Sequence, residues 1–382
     1  MEEWKEYKLG EVLTIKYGKD HKQLADGNIP IYGSGGIIRY GERPISEGPS
    51  ILIPRKGSLN NIIYSDKPFW TVDTMFWTII NIEVANPLFI YYSVCKKDFA
   101  SLNVGSAVPS LTVPIIEDVD ILLPSKFTQD KIVSILKSLD DKIEINRRIN
   151  DNLEQQAQAL FKSWFVDFEP FKDGELEETE LGLIPKAWGV VSLSAIADYI
   201  NGLAMQKYRP IEGEKGLPVL KIKELGQGNT DDSSELCSPS LIGEKYIIGD
   251  GDIIFSWSGT LMVKVWCGGK CGLNQHLFVV EPKDYPHWFA YQWTKHHLDN
   301  FIHIAKDKAV TMGHIKRGEL DKAKVVVPDG TSMAAIDTMM KPLHRQIISN
   351  KIESRRLASL RDTLLPRLMS GELKVNEIEN AI

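Results

Sequence analysis

The stretch from Ile132 to Trp164, IVSILKSLDDKIEINRRINDNLEQQAQALFKSW, contains neither Gly nor Pro. Its apolar and amide residues recur at Ile132, Leu136, Leu139, Ile143, Asn146, Asn150, Leu153, Ala157, Leu160 and Trp164, in alternating steps of four and three. That is a heptad seam, and it predicts a long helix that packs on another helix. A helix lying flat on its own domain needs a broader apolar face. The same spacing returns 204 residues later, at Ile336, Met340, Leu343, Ile347, Asn350, Ser354, Leu357, Arg361, Leu364 and Leu368. At about 1.5 Å per residue, some 36 residues make a rod of roughly 55 Å.

The two helices end two copies of one unit. Trp4, Leu9 and Gly18 recur at Trp188, Leu193 and Gly202, and the apolar run from Ser50 with Gly57 recurs as Gly251 to Leu261 with Gly259. Ala107-Val108 matches Ala309-Val310, and the strand closing at Pro124 matches the one closing at Pro328. Self-similarity of this kind marks a duplicated architecture. Each copy opens with short β-branched and aromatic runs bounded by Gly, Pro and Asn, with helical stretches from Pro87 to Phe99 and from His287 to Phe301. The predicted fold is therefore α+β. Two globular mixed domains related by pseudo-twofold symmetry are joined by two long helices forming an antiparallel coiled coil. Asn146 and Asn350 hold equivalent seam positions near the helix middles, and buried Asn sets register. The expectation is that these two side chains meet.

The 382 residues fit two or three domains, and 43% hydrophobic with 25% charged residues are ordinary values for a folded chain. No apolar run approaches a membrane span, and Met1-Glu2-Glu3-Trp4-Lys5 lacks the layout of a secretion signal. Four cysteines in such a length fit a reducing compartment, so a cytoplasmic chain is expected. The formal net charge of −6 is awkward for phosphate binding, but it is unevenly spread. Residues 1–127 carry 13 basic and 15 acidic side chains, and residues 188–328 carry 16 of each. Residues 128–187 carry 8 basic against 13 acidic, largely through Asp173, Glu175, Glu177, Glu178 and Glu180.

Two similar but unequal domains at a fixed separation suit the reading of two unequal DNA segments, with the rod setting the spacing as a dimer interface does in half-site readers. Leu160-Phe161-Lys162-Ser163-Trp164-Phe165-Val166-Asp167-Phe168-Glu169-Pro170 and Leu360-Arg361-Asp362-Thr363-Leu364-Leu365-Pro366-Arg367-Leu368-Met369-Ser370-Gly371-Glu372-Leu373 resemble the shared regions of type I restriction-modification specificity subunits. Leu181-Gly182-Leu183-Ile184-Pro185-Lys186-Ala187-Trp188 is similar to that family's opening signature for a second recognition domain, with Ala187 in place of the usual Gly. The resemblance extends over essentially the whole chain. It implies target-recognition domains at 1–127 and 188–328, helices at 128–170 and 329–370, an acidic linker at 171–187 and a C-terminal tail at 371–382. It also implies double-stranded DNA, methyltransferase subunits and motor-endonuclease subunits as partners. S-adenosylmethionine, ATP and magnesium would then belong to the partner subunits, with no cofactor bound by this chain. A bridging protein that joins protein partners through the coiled-coil rod is the alternative reading.

The motifs of an autonomous enzyme are missing. There is no Gly-x-x-x-x-Gly-Lys-Ser/Thr loop and no Asn/Asp-Pro-Pro-aromatic tetrapeptide, and Gly33-Ser34-Gly35-Gly36 reads as a turn. No catalytic residue is assigned. Cys237, Cys267, Cys271 and His276 have loose spacing and no counterpart in the first copy, so structural thiols and no metal are expected. For DNA contact the loop residues Arg39, Tyr40, Arg55, Lys56, Asn60 and Asn61 stand out in the first domain. In the second, Lys221, Lys223, Trp257, Lys264, Lys306, Lys308 and His314 do so. Arg suits guanine, Asn suits adenine and Lys suits phosphate. The aromatic patch Phe161, Trp164, Phe165 and Phe168 is expected to dock the methyltransferase subunit.

Overall fold

Pro124 and Pro328 each stop a strand, and the next residue in each copy caps a helix. The computed structural model, which describes residues 4–307 and 313–376, shows these helices at Lys126–Phe165 and Gly330–Met369, 40 residues each. The Ser125 hydroxyl accepts the Thr128 N–H at 3.3 Å, and the Asp329 carboxylate accepts those of Thr331 and Ser332 at 2.9 and 3.0 Å. Both therefore satisfy backbone donors that a helix start leaves orphaned. Every seam position of both helices is buried or half-buried. Among the described residues no helix is long and apolar enough to cross a membrane.

The chain divides inside these helices. One unit comprises residues 1–141 with 358–382, the other residues 142–357.

In the first unit, Lys5–Lys8 pairs antiparallel with Asp120–Leu123. A four-stranded antiparallel sheet runs in the order Leu13–Tyr17, Met75–Ile80, Ser50–Pro54, Ile63–Ser65. A second sheet places Asp26–Gly33 between Gly36–Gly41 and Trp70–Thr71. The central strand Ser50–Pro54 is buried at all five positions, which explains its uninterrupted apolar sequence. Around it lie Leu9, Phe76, Phe89 and Phe99, together with Ile132 and Leu136 from the start of the first long helix and Leu365 and Leu368 from the end of the second.

The second unit repeats this order. Gly189–Ser192 pairs with Lys324–Val327, and a four-stranded antiparallel sheet runs Ala197–Asn201, Leu277–Pro282, Ile253–Ser256, Met262–Val265. The smaller sheet is enlarged to Leu236–Cys237, Leu217–Leu220, Cys271–Leu273 and Ile247–Ile248. Here Ile336 and Met340 from the start of the second long helix enter the core beside Phe161 and Phe165 from the end of the first. Each core is thus filled by the start of one long helix and the end of the other.

Several expectations are corrected. The first helix stops at Phe165 rather than 170, because Phe168 adopts a left-handed conformation with φ 50° and a short 3-10 turn follows at Glu169–Phe171. Residues 171–187 are not a bare linker. Leu176–Thr179 and Gly182–Pro185 form an antiparallel hairpin, with Gly182 at φ 90° in the turn and Ile184 buried. The glutamates of this segment and Leu183 face solvent, while Ile184 and Pro185 pack inward. The long helical stretch expected from Pro87 ends at Val94, with a separate 3-10 turn at Phe99–Leu102.

The asparagine register is also corrected. Within the second unit the long helices run antiparallel, and Asn350 donates not to Asn146 but to Asn150 Oδ1 at 2.9 Å. Asn150 donates in turn to the Ile347 carbonyl at 3.1 Å, while Asn146 donates to Glu353 Oε2 at 2.7 Å. The contact lies one helical turn from the expected one. An axis through two equivalent residues is not required when two amides one turn apart can interleave. Removing one partner of a buried amide pair strands the other, at a cost of about 1–3 kcal/mol. Asn350→Ala should lower the stability by that amount, and the double change Asn150→Leu with Asn350→Leu should recover most of it, as read by urea denaturation.

His287, at the start of the helix His287–His296, lies with Nδ1 2.7 Å from Nε2 of His344 on the second long helix. Burial holds both imidazoles below the usual histidine range, His344 down at about 3 with His287 and Lys351 adding to the effect. Both are neutral in the folded and unfolded chain at neutral pH. Below about pH 6.5 the unfolded imidazoles take up protons that the folded ones refuse, so stability falls as pH falls toward the folded values. The urea midpoint should drop between pH 7 and pH 5, and His344→Gln should flatten that slope. An unchanged slope would show that other groups carry it, His296 and His297 being held low in the same way.

Candidate nucleic-acid interface

Two glycines per unit bring separate loops together beside the four-stranded sheet. A Cβ on Gly18 would lie 2.0 Å from the Val72 carbonyl, and one on Gly202 would lie 2.3 Å from that of Asn274. Only glycine permits that approach. Gly57 and Gly259, at φ 94° and 65°, turn the chain as it leaves the central strand.

In the second unit this brings together Asn201, Trp257, Gln275, His276 and His314. The Trp257 ring stacks on Phe278 with centroids 5.6 Å apart and donates its Nε1–H to Asn201 Oδ1 at 3.0 Å. The rings of His276 and His314 each lie 6.3 Å from Trp257. His276 Nδ1 is 2.9 Å from the Ser258 hydroxyl, and its Nε2 is 3.3 Å from the Gln275 amide nitrogen. The result is an amide, imidazole and indole surface on an aromatic floor, suited to hydrogen bonding and to contact with base edges.

In the first unit the matching place holds Tyr17, Arg55, Asp73 and Thr74. The Tyr17 ring meets Phe76 edge-on at 5.1 Å. The Arg55 guanidinium lies 5.6 Å from the Tyr17 ring centre and donates to the Asp73 carbonyl at 3.1 Å. Asp73 is exposed and Thr74 half-exposed.

The loop residues singled out from sequence scatter around these patches. Arg39 is a structural clamp. Its guanidinium donates to the His21 ring, to the carbonyls of His21 and Leu24, and to Asp26, leaving little donor capacity. Tyr40 is 50% exposed on the same strand. Lys56 is exposed, with its backbone bridged to Ser110. Asn60 is bonded to Asp98 and Ala100, and Asn61 donates to the Ser34 carbonyl, so both amides organise loops. Lys221 pairs with Glu235 at 2.6 Å, Lys223 with Asp231 at 4.0 Å, and Lys264 donates to the Gly226 carbonyl at 2.7 Å. Lys306 is exposed on its helix, and Lys308 lies outside the described residues. Of the thirteen, Arg55, Trp257 and His314 lie in the patches. Tyr17, Asn201, Asp73, Gln275 and His276 escaped a search for basic loop residues. The signal that finds them is the internal repeat: Tyr17 and Asn201 precede Gly18 and Gly202, and Asp73 and Gln275 follow Val72 and Asn274, whose carbonyls those glycines approach.

Cys267 and Cys271 are buried, and burial pushes their thiols up to about 11 and about 12, so they are neutral core side chains. Among the described residues no group of three His, Cys, Asp or Glu side chains is arranged to hold a metal.

In the aromatic patch at the end of the first helix, Phe161 and Phe165 are core residues rather than a docking surface, while Trp164 and Phe168 are half-buried. Phe161 and Phe165 stack at 5.1 Å, and Phe161 meets Trp293 edge-on at 5.0 Å. Phe165 contacts Trp188, Trp288 and Phe289, while Trp164 and Phe168 pack against the same core. With Phe161 and Phe165 only 5% and 2% exposed, neither ring can reach a partner. The sequence shows an aromatic cluster, but only the fold tells whether it is filled from within. Phe161→Ala should destabilise the chain by about 3–5 kcal/mol through the lost burial and the cavity left behind. Chemical denaturation checks this, and a stability unchanged within 1 kcal/mol would be contrary to the packing.

A duplicated mixed fold with two long helices, and with dissimilar polar surfaces on matching backbone positions, defines a two-site recognition protein without an enzyme's cofactor loop. The model of the type I restriction modification DNA specificity domain matches twice, over residues 1–155 and 185–355, and the chain belongs to that family. Its role is DNA sequence specificity in a restriction-modification system. The chain is 27% identical to the specificity subunit of the type I restriction enzyme MjaIX of Methanocaldococcus jannaschii, over 98% of each chain. It is 22% identical to the HindI specificity subunit of Haemophilus influenzae, over 98% of this chain and all of that one. The crystal structure of the type I S subunit from M. genitalium shares the fold at a TM-score of 0.61 and 16% identity, over 96% of both chains.

Proposed function

We propose that the chain reads an asymmetric, interrupted DNA site, one half with each unit, and directs adenine methylation or restriction carried out by partner subunits. The observation that carries this reading is the duplication itself. One chain holds two copies of a fold whose equivalent surfaces differ in chemistry, an amide and imidazole surface in one and a guanidinium and carboxylate surface in the other. A symmetric dimer would read a palindrome, whereas unequal domains read unequal half-sites.

Methylation and cleavage belong, on this reading, to a methyltransferase subunit using S-adenosylmethionine and to an ATP- and magnesium-dependent motor-endonuclease subunit. The near-neutral charge of residues 1–127 and 188–328 then has a reason, since neighbouring subunits share the phosphate contacts.

Co-expression with the cognate methyltransferase, followed by genome-wide mapping of adenine methylation, tests the reading. One interrupted, asymmetric motif should appear, and only when this chain is present. A folded complex that produces no new motif would return the bridging alternative.

A further inference from the structure

The two surface patches share a main chain and differ in side chains. Gly57 N–H donates to the Pro109 carbonyl and Gly259 N–H to that of Gly313, both at 3.0 Å. Leu111 N–H donates to the Arg55 carbonyl at 2.9 Å, and Ile315 N–H to that of Trp257 at 3.2 Å. Tyr17 stands opposite Phe76 in the first sheet, and Asn201 stands opposite Phe278 in the second. The close-approach glycines Gly18 and Gly202 follow at once in both. Scaffold, turn and aromatic floor are therefore common to both units.

What stands on that floor is not. Tyr17 is replaced by Asn201, Arg55 by Trp257, Asp73 by Gln275 and Thr74 by His276. All eight are exposed or half-exposed, and within each unit they are drawn together by the contacts already described and by the Arg55 N–H, which donates to the Thr74 carbonyl at 2.8 Å. Surface drift scatters, and core changes must conserve packing. A clustered exchange of hydrogen-bonding character on a fixed backbone instead fits two domains that read different bases.

We propose that these four paired positions are the specificity-determining residues of the two domains, a reading that rests on the DNA-specificity function above. The side chains further assign the bases. Arg55 presents paired donors that match guanine O6 and N7, and Asp73 presents acceptors that match the cytosine N4 amine, so the first unit reads a G·C pair. The Gln275 amide matches adenine N6 and N7, so the second unit reads an A·T pair. His276 Nε2 lies 3.3 Å from the Gln275 amide nitrogen, and the His276 ring in turn lies beside Trp257.

The test uses the full chain with its methyltransferase subunit and duplexes of the mapped motif substituted one base pair at a time. Asp73→Ala should lose about fivefold or more of the discrimination at one G·C pair in one half-site, and Gln275→Ala the same at one A·T pair in the other, as a contact of about 1–3 kcal/mol requires. Discrimination in the opposite half should stay as in the unaltered chain. Should either alanine variant fail to assemble, Asp73→Asn and Gln275→Glu keep the side-chain size and change the hydrogen-bonding character together with one charge. Unchanged discrimination in both halves, or equal loss in both, would overturn the proposal, and loss at a base pair of the other kind would overturn the base assignment. If the unaltered chain directs no motif at all, the function reading fails instead, so the two failures are distinguishable.

Discussion

Each core of this protein is closed by residues from both long helices, one entering and one leaving. Ile132 and Leu136 begin the first helix inside the first core, and Phe161 and Phe165 end it inside the second. Ile336 and Met340 begin the second helix inside the second core, and Leu365 and Leu368 end it inside the first. Neither globular domain is complete with the residues of its own repeat. The helices are structural parts of both units, and the chain divides within them rather than at their ends.

This arrangement explains why the helix ends are the most apolar part of the seam while its middle carries amides. At the ends the helices meet a domain interior, where aromatic and aliphatic burial contributes most. In the middle, where the buried Asn146 Oδ1 has no hydrogen-bond partner among the described residues, Asn146, Asn150 and Asn350 face the other helix and donate across to it. The Arg361 guanidinium, on a seam position of the first unit, is likewise satisfied by Asp140 at 2.6 Å. Polar seam residues thus hydrogen-bond between the helices, and the apolar ends are buried in the cores.

The recognition surfaces divide labour in a comparable way. Glycines at 18, 57, 202 and 259 serve the backbone, because each allows an approach or a turn that a side chain would obstruct. Residues next to them are then free to differ without disturbing the sheet. Many basic and amide side chains nearby, Arg39 and Asn60 among them, are consumed in holding loops, which is why residue type alone is a poor guide to contact with DNA.

The sequence by itself determined the duplication, the two long helices and the pairing surface between them, because helical periodicity and repeated Trp, Gly and Pro positions are local properties that survive without coordinates. It also disclosed the family. Tertiary structure alone decided which Asn meets which, since a one-turn offset satisfies the same heptad pattern. It decided that the segment after the first helix folds into a hairpin, where a charged composition concealed the buried pair Ile184 and Pro185. It showed that Phe161 and Phe165 are core rather than surface, because an exposed and a buried aromatic are written identically in sequence. Finally, it brought Tyr17 to Arg55 and Asn201 to Trp257, residues far apart along the chain, since the convergence of loops is fixed by strand order and not by spacing.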